Sequence, residues 1–137
     1  MPIDLKSMLY RVAGEVFDQE FTVAEAATRD YPPQYSMLVR NRGTDLTAVI
    51  SIDLIHLDAV FPDHDVRTGI VDDDDNEAYK EAELHRLCRM VRVYLEGNFR
   101  LEHRRRLFRS GTTVVVHVVA DGQQWEIGRS VSRVPDP

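Results

Sequence analysis

The chain has 137 residues, 43% hydrophobic and 29% charged, with a formal net charge of −6. This is near the commonest size of one domain and long enough to bury a core without disulfide or metal staples, so residues 1–137 read as a single α+β domain with a loose tail over 131–137. One cysteine, Cys88, excludes an internal disulfide, and no apolar run approaches the roughly 18 residues of a membrane span; with no charged-then-apolar leader at Met1–Lys6, the expected setting is the cytoplasm.

Charge is unevenly spread. Residues 1–85 carry a net −11 and residues 86–137 a net +5, and fifteen of the seventeen basic residues are Arg. An Arg bias of this kind follows from a GC-rich genome. The asymmetry also lets the two parts of the chain attract each other once folded, an effect screened beyond about 8 Å in physiological salt.

Taken in chain order, the first element is a helix. Leu5, Met8, Leu9, Val12 and Val16 recur at three- and four-residue spacing, with Asp4 as its N-cap. Thr22 and Glu25 fit a capping box, which predicts a short second helix over 22–29 that Pro32-Pro33 would end. Tyr35–Val39 reads as a strand. After a turn at Asn41–Asp45, Leu46, Ala48, Ile50 and Ile52 alternate with polar residues, as in a strand with one wet face. The apolar phase then moves to Ile55, Leu57 and Ala59, which fits either a bulge or a switch to a helical turn.

Residues 62–76 read as a loop. The longest helix follows over 75–96, its buried stripe made of Leu84, Leu87, Cys88, Val91, Tyr94 and Leu95 and its stop supplied by Gly97-Asn98. Two strands are then expected, Phe99–Arg109 and Thr112–Ala120, joined at Ser110-Gly111. The valines of the second are apolar on both faces, the pattern of a central strand covered on both sides. Asp121-Gly122 is a hairpin turn into a short strand at Gln124–Ile127. The expected fold is two-layer α+β, an antiparallel sheet of about five strands packed on two main helices in the order α-β-β-(β)-α-β-β-β.

Four features invite a functional reading. Asp72, Asp73, Asp74 and Asp75 are weak candidates for a divalent-cation site, but they lack the alternation and central glycine of an EF-hand. As a solvated helix start they gain from the helix dipole instead, and that reading is preferred. His85 and Cys88, three apart on one helix, could recruit His103 and His117 to zinc or form a nucleophile pair. The buried stripe claims Cys88 against both. No nucleophile elbow, glycine-rich phosphate loop or zinc-protease motif is present, so no cofactor is expected and a non-catalytic role is preferred.

The better candidate is basic. Arg100, Arg104, Arg106 and Arg109 crowd one predicted strand with Arg105 and His103, an anion-binding ridge of planar guanidinium forks. Leu101 and Leu107 share the odd face with Arg105, so that face is expected to be the inner one. Arg105 then needs a carboxylate, or the strand must lie at a sheet edge. The overall acidity disfavours a nucleic-acid partner. The element order is similar to that of bacterial secretion chaperones, and size and charge are similar to those of toxin-immunity proteins. These are likenesses of topology and composition, and fold-level likeness does not transfer function. The leading expectation is a small protein-binding or regulatory module, a homodimer or the partner of an acidic protein. The alternatives are a nucleic-acid or phosphate binder through the Arg-rich strand, and an enzyme using His85 and Cys88.

Overall fold

The structure, a computed structural model, describes residues 3–71, 76–105 and 111–129. It begins with helix α1 (Leu5–Val16) and continues through strands β1 (Phe21–Glu25), β2 (Arg29–Asp30), β3 (Pro33–Asn41), β4 (Thr47–Asp53), β5 (His56–Phe61) and β6 (Val66–Val71). Helix α2 (Glu77–Leu95) follows, then β7 (Arg100–Arg105), β8 (Thr112–Ala120) and β9 (Gln123–Ile127). β1-β3-β4-β5-β6 form an antiparallel sheet with the two-residue β2 also on β3, and β7-β8-β9 form a second. The expected α+β class, antiparallel pairing and two main helices are all present, but the described strands number nine and form two sheets, where the sequence pattern suggested one sheet of about five.

Local chemistry accounts for the helices. The Asp4 carboxylate accepts from the Ser7 backbone N–H at 3.1 Å, capping α1, and Leu5, Met8, Leu9, Val12, Ala13 and Val16 are its buried stripe. Asn76 caps α2, accepting from the Tyr79 N–H at 3.0 Å. At the other end Gly97 takes φ 87°, and the N–H groups of Gly97 and Asn98 reach back to the carbonyls of Tyr94 and Val93. That is a Schellman ending, in which glycine enters the left-handed region without a Cβ penalty. The helices are tied to each other by Arg11–Glu81 and by His85–Glu15 (3.0 Å), and Arg92 holds the end of α1 through the Val16 carbonyl (2.7 Å).

Three expectations are corrected. Residues 22–29 are not helical: Thr22 and Glu25, the imagined capping pair, lie in β1, where Thr22 pairs with Arg40 and Glu25 with Met37. The capping-box pattern is local, and pairing with β3 outweighs it. The loop expected over 62–76 contains β6, because Val66, Thr68 and Ile70 alternate inward against β5 after a turn in which Asp65 takes φ 53°. β8 is the central strand of its sheet, as expected, and Val115–Val118 are buried on both faces, but the two-sided cover stops short of Val119, which is 63% exposed. The phase change after Ile52 is settled as a tight hairpin. Asp53 accepts from the N–H groups of Ile55 (2.9 Å) and His56 (2.7 Å), and β5 then runs back along β4.

Both helices pack on one side of the strands. The core joins their buried stripes to Met37, Val39, Ala48, Ile50, Ile52, Leu57, Ala59 and Phe61 of the larger sheet and to Val116, Val118, Trp125 and Ile127 of the smaller. The sheets meet where the Arg67 N–H donates to the Gly128 carbonyl at 2.9 Å, an antiparallel bridge between β6 and the end of β9. Bridged residues share a face, so the helix-free side of the larger sheet runs on into the helix-free side of the smaller. No described helix is long and apolar enough to cross a membrane.

Candidate functional site

The predicted thiol site is not assembled. Cys88 is fully buried, and that burial pushes its thiol up to about 12, opposed only by the charge of Arg89. His85 lies about 60° away around the helix axis and turns to Glu15 instead. His103 pairs with Val114 and lies on the helix side of its sheet, whereas His117 lies on the opposite side. The four residues His85, Cys88, His103 and His117 therefore do not converge.

The predicted arginine ridge is only partly a ridge. β7 pairs with β8 alone, so it is an edge strand among the described residues, and five of its six residues are exposed. Leu101, His103 and Arg105 do share the helix side, as their odd numbers suggested. They are exposed there because the edge extends past the helices, and Arg105 reaches water without entering a core. Arg100 is exposed on the other side. Arg104 is already committed. Its Nε bonds Glu102 Oε2 at 2.5 Å and its terminal nitrogen pairs with Glu126. Arg106 and Arg109 lie outside the described residues, as do Asp72 to Asp75 and the 131–137 tail.

Around Arg104 the smaller sheet builds a compact polar cluster on its helix-free side. His117 is 92% buried, sits directly opposite Glu126, and has its Nε2 2.7 Å from Glu102 Oε1. Gln124 lies 3.4 Å from the other ring nitrogen. Hydrogen bonds from Arg104 and then His117 hold the Glu102 carboxyl down at about 2, and the same carboxylates raise Arg104. Glu102, His117 and Glu126 each offer one ligand atom, all within 4.8 Å of one another. Sequence reasoning singled out Arg104 and His117 but missed Glu102, Glu126 and Gln124. One signal was available: His117 and Glu126 are equidistant from the Asp121-Gly122 turn, which sets them across from each other.

The middle of the same open side is mixed. Leu38, Val49 and Val60 form one cross-strand row, and Ser36, Ser51, Asp58 and Gly69 form the next. The Ser36 and Ser51 hydroxyls are 2.8 Å apart. Burial raises the Asp58 carboxyl, with Asp53 adding to the effect and His56 and Arg67 opposing it. Asp58, Val60, Arg67 and Thr68 line a shallow depression there. His56 meets Asp53 at 3.3 Å, but that carboxylate also caps the β4–β5 turn. The arrangement is accounted for by folding alone.

Comparison with protein-family models, with curated proteins and with solved structures finds no match to this chain.

Proposed function

We propose that the chain is a small cytoplasmic protein-binding module that engages an acidic protein surface along its exposed β7 edge. The observation that supports this reading is an edge strand carrying Arg100, His103 and Arg105 in water beside an exposed Leu101. An extended segment added there gains main-chain hydrogen bonds, and the guanidinium groups select carboxylates beside it. A second copy can supply such a surface, since residues 1–85 carry a net −11; homodimerisation is therefore part of the proposal. Nucleic acid is the weaker reading. The chain is at −6, and Arg104 is neutralised within the fold.

The test pairs light scattering with affinity capture from the native cell, using the wild type and an Arg100→Glu/Arg105→Glu variant. The expected result is a dimer or a stable protein complex that survives nuclease and is lost in the variant. A complex abolished by nuclease supports the nucleic-acid reading instead. Binding unchanged in the double variant refutes the β7 edge as the docking strand.

A further inference from the structure

The geometry points to a transition-metal site of the Zn²⁺ class at Glu102, His117 and Glu126, with Arg104 as a built-in competitor for the two carboxylates. The three ligands come from β7, β8 and β9 and meet on the open side of the sheet. An imidazole nitrogen with two carboxylate oxygens suits zinc and its neighbours, whereas Ca²⁺ and Mg²⁺ favour oxygen-only shells. In a tetrahedral shell, ligand bonds of about 2.0–2.2 Å set two donors on one ion roughly 3.4 Å apart. The present 4.8 Å limit therefore closes with movements of the glutamates. Both glutamates have room to move, being 33% and 49% exposed, while the buried His117 supplies the fixed point.

The charges favour the exchange. With a neutral imidazole, two carboxylates and one guanidinium leave the cluster at −1. The ion needs the lone pair of His117 Nε2, which puts the ring proton on Nδ1. Gln124 stands beside Nδ1 at 3.4 Å, and with its amide turned its oxygen accepts that proton, the kind of outer contact that fixes a metal-bound histidine. Arg104 must release both carboxylates as the ion enters. It lies on the edge strand with a side chain 47% exposed, so it can swing into water. Three protein ligands leave a fourth position for water or for a donor from a bound partner. This assignment does not depend on the β7 edge being a docking strand.

The experiment is calorimetric titration of the chelator-treated full-length protein with ZnCl₂, with melting curves confirming that each variant is folded. One ion per chain is expected. Glu126→Gln, an exposed and nearly isosteric change, should weaken binding at least tenfold, and His117→Gln should do the same. Arg104→Gln should tighten it at least threefold, because the competitor is gone. An absence of one-to-one binding, or binding that Glu126→Gln and His117→Gln leave unchanged, overturns the site. Unchanged or weaker binding in Arg104→Gln overturns the competitor role and leaves the metal site itself to the Glu126→Gln and His117→Gln results.

Discussion

Reactivity of Cys88 is the sharpest check on a catalytic reading of the chain. The perturbation is a small alkylating reagent, iodoacetamide, applied to the folded protein at pH 7.5. Only the thiolate attacks, and an ordinary thiol has a few per cent of it at this pH. With the Cys88 thiol pushed up to about 12, the thiolate fraction falls by about 10³. Steric exclusion adds to this, since the side chain is fully buried. The competing route is transient unfolding, which restores ordinary reactivity but populates the open state at only about 10⁻⁴ even for a stability of about 5 kcal/mol. The first route is the faster and sets the bound, so labelling of the native protein should be at least about 10³ slower than in denaturing urea. Mass spectrometry of timed aliquots measures the ratio. Native labelling within tenfold of the unfolded rate would refute the buried-thiol argument and reopen thiol catalysis. The raised thiol also has a consequence for stability. The folded state holds the proton when the unfolded state has lost it. The contribution is complete below the ordinary thiol range and is lost as pH rises through about 12.

Three further outcomes are expected. Asp58→Asn should stabilise the protein near pH 7 and lose that advantage below about pH 4, because a raised carboxyl lowers wild-type stability as pH climbs through its folded value; urea melts across pH 3–8 test this. Gly69→Ala places a Cβ 2.3 Å from Asp58 Oδ1 and should cost about 1–3 kcal/mol; in a double-mutant cycle, Asp58→Ala should recover most of it, and simple additivity would refute the clash. Tyr94→Phe removes the hydroxyl bonded to His64 Nδ1 at 2.6 Å and should lower stability by about 0.5–1.5 kcal/mol in chemical denaturation, an unchanged midpoint counting against the bond.

Much of the fold is legible in local pattern. The apolar stripes of α1 and α2, the glycine stop at Gly97 and the Asp121-Gly122 turn each follow from backbone sterics and side-chain period, and the structure reproduces them. Asp121 and Gly122 both take positive φ, as a tight two-residue hairpin turn requires. β1 and β6 were missed because neither declares itself alone. β1 looks like a helix start until β3 is beside it, and Gly69 and Arg67 make β6 look like loop. A cross-strand contact decides here: Gly69 leaves the room that the Asp58 carboxylate occupies.

The candidate cluster divides along the same line. Alternation along a strand settles which residues share a face, so Arg100, Glu102 and Arg104 were bound to lie on one side and His103 and Arg105 on the other. The turn at Asp121-Gly122 likewise set His117 against Glu126. Position along the partner strand is another matter. A two-residue turn at Ser110-Gly111 would put Glu102 opposite Val119, whereas the fold puts it opposite Val115 and within reach of His117. That register, like the Arg67–Gly128 bridge joining the two sheets, belongs to the packed molecule. Facing is fixed by each residue's own backbone geometry. Register across a longer connection is set by which alignment buries Val116, Val118 and Trp125 beneath α2, a choice made by residues far apart in the chain.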